Sequence, residues 1–277
     1  MKNTLLTILT INFNNKFGLE RTLKSISQQT WQDFEYIVID GGSTDGSKDL
    51  ILQSQNLLDF WVSEKDNGIY HALNKGIDRS TGEYILCLNS GDVLYDENVL
   101  SRIKDQFHEK IDLLYGDALI LDSESQEIIR EWVLPSSLNF EFFANSALSH
   151  QATFIRRDLH SRFGLYDENL KIASDWFFML KALSSGQVTY KKLNHLVCSH
   201  DNSGISNLNP ELALRERKEL LERDFSFFLR ATTRTIQPTA IDYLFYGKKK
   251  IKNVIKFFMP YGLFWMIKKI RVQMNKR

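Results

Sequence analysis

The residues best suited to chemistry sit at turns. Asn89-Ser90-Gly91-Asp92 directly follows the apolar run EYILCL, so a polar cluster leaves a buried strand at its carboxyl end. One carboxylate on a glycine-relaxed turn can hold a hard divalent cation through oxygen, leaving other positions to water and a diphosphate. Such a cation neutralises charge on a departing nucleoside diphosphate. The same turn also suits plain capping of a helix over Asp96–Glu109, and the four residues alone do not separate the two readings. Asp40-Gly41-Gly42-Ser43-Thr44-Asp45-Gly46 has a similar setting. Its glycines permit a tight turn, and Ser, Thr or Asp can cap the helix that follows. Asp40 at the strand tip could accept hydrogen bonds from a base or ribose, or simply finish a capped turn. The spacing matches neither the dinucleotide fingerprint nor a P-loop. In the segment Ser63–Gly76, Glu64 and Asp66 precede a helix bearing Asn74 and Lys75. It reads as ligand-facing or as a solvated loop with a surface lysine.

Elements of an α/β fold must position these turns. Leu5–Ile11, Phe34–Asp40, Phe60–Ser63 and Glu83–Leu88 are apolar strand-like runs, separated by helical stretches over Gly18–Gln29, Gly46–Gln55 and Ile69–Arg79. Strands apolar throughout, each followed by a helix, predict a mostly parallel sheet covered on both faces. Ligands of such sheets bind beyond the carboxyl strand ends, where Asp40, Asp66 and Asp92 converge. From Asp112 to Val133 the pattern turns strand-rich, as in a smaller antiparallel extension. Helices are expected over Phe140–Asn145, Ser174–Ser185 and Pro210–Ala231, with strands over Ala152–Ile155 and Val188–Val197. The expected division is one domain over 1–235, with halves 1–110 and 111–235, followed by a tail over 236–277.

Composition narrows the partners. Of 277 residues, 43% are hydrophobic and 25% charged, which excludes general disorder. All 34 acidic residues precede residue 243, against 25 of the 35 basic ones, and the last ten basic residues crowd into 243–277. An acidic body repels nucleic acid, so the basic tail points to an anionic surface. Ile251, Val254, Ile255, Phe258 and Met259, then Leu263, Met266, Ile267 and Ile270 beyond Pro260, recur at helical spacing among lysines. This is the composition of helices lying in a membrane interface. The alternative is a tail packed on the acidic body or on a second subunit, as in a homodimer. Cys87 and Cys198 lie in apolar runs without zinc-site spacing and read as buried thiols of a reducing compartment. Met1-Lys2-Asn3-Thr4 enters a strand without the apolar core of a signal peptide, and no run is apolar enough to span a bilayer. The expected location is cytoplasmic, peripheral on the inner face of the membrane.

The ordered series ILTINFNN, FEYIVIDGGSTDGS, SEKDNGIYHALNKGI and TGEYILCLNSGD resembles the inverting family 2 glycosyltransferases. It is most similar to the branch that builds bacterial capsule, exopolysaccharide and lipopolysaccharide, and the resemblance extends over residues 5–206. It implies a GT-A fold, in which a Rossmann-like nucleotide-binding half joins an acceptor half. By that resemblance Thr10, Asn12, Asn14, Asp40, Asp66, Asn74, Lys75, Ser90 and Gly91 form the donor site. Asp92 falls at the last carboxylate of an Asp-X-Asp motif and holds Mg²⁺ or Mn²⁺, with Asn89 and Gly91 where Asp is frequent. His200 opens a segment, HDNSGIS, that resembles a flexible cover over the donor, and is the candidate for a further metal ligand. Asp175 occupies the position of the catalytic base, though an acid there also suits the dipole of a helix N-terminus. His150 and Gln151 resemble an acceptor-side segment. Trp176 could stack on a sugar ring or belong to the core.

The implied reaction is inverting transfer of a hexose or N-acetylhexosamine from a nucleoside-diphosphate sugar, read as UDP-linked. The implied acceptor is a sugar hydroxyl of a lipid-linked bacterial surface polysaccharide. Two other classes stay open. A sugar-nucleotide nucleotidyltransferase would carry a Gly-rich, basic triphosphate loop, and TINFNNKF has none. A non-catalytic sugar-nucleotide-binding assembly protein would tolerate Asn89 in the metal motif; metal-stimulated hydrolysis of a nucleotide sugar separates it from an enzyme.

Overall fold

Apolar runs of alternating face build the first half of the molecule in a computed structural model, which describes residues 4–225. The expected basic tail and residues 226–235 of the expected acceptor half lie outside the described residues. Strand β1 (Leu6–Asn12), helix α1 (Lys16–Ser27), β2 (Glu35–Asp40), α2 (Ser47–Gln53), β3 (Phe60–Ser63), α3 (Ile69–Arg79) and β4 (Tyr84–Cys87) follow in order. β1 runs parallel between β2 and β4, and β3 lies outside β2. Alternate residues serve opposite faces. Ile8, Val38 and Leu86 pack with Leu19, Leu23 and Ile26 of α1, whereas Leu9, Ile37 and Ile85 pack with Leu73 and Ile77 of α3. α3 approaches the sheet so closely that a Cβ on Gly76 would stand 2.1 Å from Leu9 Cδ1.

The second half mixes directions. It comprises β5 (Val93–Leu94), α4 (Val99–Ile103), β6 (Leu113–Leu121), β7 (Ile128–Trp132), α5 (Phe140–Asn145), β8 (Thr153–Arg156), α6 (Asp158–Phe163), α7 (Ser174–Ser184), β9 (Tyr190–Asp201), α8 (Ile205–Leu208) and α9 (Pro210–Asp224). The sheet continues past β4 as β8-β6-β9-β5, with β7 hairpinned onto β6. β8 is antiparallel to both β4 and β6, but β9 returns parallel to β6. The antiparallel pairing expected over 112–133 is present in the β6–β7 hairpin, and β9 adds a parallel strand to β6 after the chain crosses back through α6 and α7.

Three local expectations change. The helix expected over Asp96–Glu109 divides into α4 and a 3-10 stretch over Lys104–Glu109. β9 extends to Asp201 through its ladder with Leu121, which puts His200 inside a strand. Gly46, with φ +92°, takes the N-cap position of α2 without a side-chain cap; Asp45 instead accepts the Ser47 N–H at 3.0 Å. Cys87 and Cys198 are buried free thiols. Among the described residues, no helix is long and apolar enough to cross a membrane.

Candidate functional site

The strand register lines up the first polar residues. Asn12 stands beside Asp40, and Asp40 beside Ser63, at the carboxyl edge of β1, β2 and β3. Asp40 is fully buried, and four donors converge on it. Oδ1 accepts from Asn12 Nδ2 (2.7 Å) and Ser43 Oγ (2.5 Å), and Oδ2 accepts from Ser63 Oγ (2.6 Å) and the Ser43 N–H (3.0 Å). Burial alone would raise its pKa, but the bonds from Ser43, Ser63 and Asn12 outweigh it and hold the carboxyl below its usual range. Asn14 extends this network. Its backbone N–H reaches Ser43 Oγ at 2.7 Å and its Oδ1 accepts the Thr44 N–H at 2.8 Å, locking the end of β1 to the turn after β2.

Beside that network Lys75 bridges Asp66 (2.6 Å) and Glu64 (2.8 Å), while His71 Nδ1 approaches Asp66 at 3.1 Å. Burial works to lower the Lys75 pKa, but its two carboxylate partners raise it. Phe13 is 66% exposed, and its ring and the Asp66 carboxylate both lie 3.2 Å from where a Cβ on Gly41 would be. An open aromatic face, a carboxylate and a glycine floor thus meet at one point.

The turn Asn89-Ser90-Gly91-Asp92 is held from beneath by α1 and β1. Thr22 Oγ1 accepts the Gly91 N–H (3.0 Å) and donates to Asp92 O (2.7 Å). Asn15 caps α1 through Oδ1 while its Nδ2 donates to Ser90 O at 3.0 Å, and the Ser90 N–H donates to Ile11 O at 3.0 Å. Gly91, with φ +104°, occupies backbone space that favours glycine. Asp92 is only 8% exposed, and burial pushes its carboxyl up to about 7. His150 and a hydrogen bond from Gln151 oppose that rise, whereas the Asp201 charge adds to it. Asp201 Oδ2 lies 3.8 Å from where a Gly91 Cβ would be. His200 is buried with no partner on Nε2, and burial lowers its pKa. Among the described residues no group of three or more His, Cys, Asp or Glu is arranged to hold a metal ion. By donor type, the buried, undercompensated Asp92 carboxylate and the orphaned His200 nitrogen each suit a cation whose other positions are filled by ligand oxygens and water.

Asp175 opens α7 and is one-fifth exposed at its side chain. His150 Nδ1 donates to Oδ2 at 3.0 Å, and the Tyr70 hydroxyl lies 3.0 Å from Oδ1 while accepting the Ser174 N–H at 3.0 Å. Burial would raise the Asp175 pKa, but His150, and further Tyr70, hold it below the usual range. The other edge of the imidazole, Nε2, accepts from Asn89 Nδ2 at 3.1 Å, which requires the neutral ring. Turning the Asn89 amide over would let a protonated ring donate to Oδ1, an atom otherwise buried without a partner. Burial lowers the His150 pKa, but Asp175 and Asp92 outweigh it and raise it overall. A continuous chain thus joins the Asp92 turn to Asp175 through Asn89 and His150.

Three expected site residues lie elsewhere. Thr10 is buried and donates to Leu88 O at 2.7 Å, tying β1 to the end of β4. Asn74 is buried, and its amide grips Tyr166 N–H (3.0 Å), Tyr166 O (2.9 Å) and Glu168 (2.9 Å), so it fixes a loop. Trp176 is 3% exposed with its indole N–H on Phe143 O (3.0 Å) and Ser146 O (3.1 Å), a core residue and not a sugar platform. Conversely, sequence reading missed Phe13, Tyr70 and Asp201. All three lie inside motifs already singled out, but nothing local marked Tyr70, whose partner Asp175 is 105 residues away.

The chain matches the model of a family described as Glycosyl transferase family 2 over residues 7–166. A PGL/p-HBAD biosynthesis glycosyltransferase of Mycobacterium bovis is 30% identical over 213 residues, 75% of this chain and 81% of the relative. Among solved structures, S. aureus TarS 1-349 in complex with UDP-GlcNAc aligns with a TM-score of 0.64 at 15% identity, covering 92% of this chain and 73% of that one. The mannosyltransferase PcManGT from Pyrobaculum calidifontis, in complex with GDP-Man and Mn²⁺, gives 0.55 at 13% identity, over 93% and 85%. At such identities the structural likeness speaks for the fold, the GT-A arrangement. With polar turns gathered at the carboxyl edge of that sheet and the family match running through β1 to β8, the chain belongs to glycosyl transferase family 2.

Proposed function

We propose that this glycosyltransferase moves a hexose or N-acetylhexosamine, with inversion, from a UDP-linked donor to a sugar hydroxyl of a lipid-linked bacterial surface polysaccharide. The observation that carries this reading is Asp175, held by His150 and Tyr70 and linked through Asn89 to the turn of Asp92. The nucleoside rests against Phe13, with Asp66 accepting its N–H groups; Asp40, Asn12 and Asn14 act by shaping the turn beneath it. The acceptor hydroxyl attacks the anomeric carbon as the bond to the diphosphate oxygen breaks, and its proton passes to Asp175. His150 and Tyr70 fix the carboxylate during that step. A bound Mg²⁺ or Mn²⁺, held by Asp92 with His200 as a further ligand, would neutralise charge on the leaving diphosphate. The choice of a nucleoside-diphosphate sugar is supported by the UDP-GlcNAc and GDP-Man complexes of the neighbours in fold, and the choice of UDP rests on the sequence resemblance.

The basic composition of residues 243–277 supports placement on an anionic membrane surface, where a lipid-linked acceptor resides. Deleting that segment should release the protein from anionic vesicles in a sedimentation assay; retained binding would contradict the placement. The donor is tested by thermal shift against a panel of nucleotide sugars with Mn²⁺, since a ligand of the folded state raises Tm by mass action. One sugar nucleotide should stabilise the protein and be slowly hydrolysed with metal stimulation. Stabilisation without any turnover would favour a non-catalytic binding protein.

A further inference from the structure

Helix α9 brings a cation without an ion-pair partner among the described residues against Trp176, the residue after Asp175. Glu216 anchors the helix, its carboxylate accepting the N–H groups of Lys171 (2.8 Å), Ile172 (3.0 Å) and Ala173 (2.9 Å) just before α7. The next residue, Arg217, places its guanidinium carbon 5.1 Å from the Trp176 ring centroid. Its Nε is buried without a partner, and among the described residues the guanidinium makes no ion pair. Nearby anions are already taken: Asp175 by His150 and Tyr70, Glu216 by three backbone donors, and Asp224 by Arg223. Burial lowers the Arg217 pKa, while the Asp175 charge acts on it in the opposite direction. A guanidinium with a buried, unpartnered Nε and no counter-charge among the described residues is costly to hold, and its planar fork suits an oxyanion.

We propose that Arg217 binds an oxyanion of the acceptor, a phosphate or carboxylate group carried near the attacking hydroxyl. With Asp175 as the base, the acceptor is favoured over the donor, because a base takes the proton on the side opposite the leaving diphosphate. The proposal rests on the glycosyl-transfer reading above for the word acceptor, but not for the anion site itself. An acceptor lacking the anionic group would then be used with a higher KM.

Inorganic phosphate is the probe, titrated calorimetrically into the full chain saturated with UDP and Mg²⁺, which occupies the donor's diphosphate position. Arg217→Met should weaken phosphate binding by about tenfold or more, the loss expected of a charge-assisted bond, with UDP affinity unchanged. Arg217→Lys should recover part of that loss, which a purely structural role in covering Trp176 would not produce. Should Arg217→Met fail to fold, Arg217→Lys against Arg217→Gln makes the same comparison. Phosphate affinity equal in wild type and charge-neutral variant would overturn the proposal. So would a parallel fall in UDP affinity, which would put Arg217 on the donor's diphosphate. Failure of wild type to bind UDP would count against the glycosyl-transfer reading instead, and phosphate titrated without nucleotide would still test Arg217.

Discussion

Two carboxylates at the same sheet edge have opposite settings. Asp40 receives four hydrogen bonds and is held below its usual pKa, whereas Asp92 is nearly as buried but pushed up to about 7. The first is saturated from within the fold and stabilises it. The second keeps capacity that the protein leaves unfilled, as a group awaiting a ligand does. Both side chains are closed to water, and the donors aimed at Asp40 offset a desolvation that at Asp92 prevails.

The contrast can be broken most strongly at Asp92. Asp92→Asn should lower transfer by roughly 100- to 1000-fold, the scale of losing a charge-stabilising group at the reacting centre, measured by steady-state turnover. A smaller loss, roughly 10- to 100-fold in kcat with donor KM unchanged, is expected for His150→Gln, which loosens the base without removing it. The acid limb of its pH–rate profile should also move up, because the main bond holding the Asp175 pKa down is gone. Asp40→Asn should instead act on stability. It exchanges an acceptor of four bonds for an amide that accepts at one end only, at a cost of roughly 2 kcal/mol read from denaturant unfolding.

The smallest effect sharpens the sign. A carboxyl harder to ionise in the folded than in the unfolded chain carries a penalty that is absent below the unfolded pKa and grows as pH rises toward about 7. Without metal, Asp92→Asn should therefore unfold about 2–4 °C above wild type at pH 8, the shift from about 1 kcal/mol in a protein of this size. The gap should close toward pH 4. Asp40 works the other way: its depressed pKa stabilises the fold above the unfolded value and that contribution fades as pH falls. A gap between Asp92→Asn and wild type that widened in acid would contradict the assignment of a strained carboxyl.

The polar carboxyl edge of β1, β2 and β3 was legible in sequence because its parts are local. Each strand ends in its own polar turn, and parallel register alone brings Asn12, Asp40 and Ser63 together. What sequence could not show was which polar residues would be consumed internally. Thr10 and Asn74 have suitable chemistry, yet each spends its hydrogen bonds on a backbone carbonyl or loop. The cluster around Asp175 was legible only as isolated candidates. His150 and Asp175 meet across 25 residues and Tyr70 joins them across 105, a convergence made by the packing of α3, α7 and the turn before β8. Trp176 shows the same limit: its neighbour Asp175 faces a polar chain while the indole closes the core against α5.

The division of labour between Asp92 and Asp175 is tested most directly on Asp175→Asn, by measuring transfer and nucleotide affinity on the same folded preparation. Expected is a fall in transfer of about 1000-fold, within the range for losing a general base, with UDP affinity in the presence of Mn²⁺ unchanged. Normal transfer by the folded variant would contradict the assignment of Asp175 as the base.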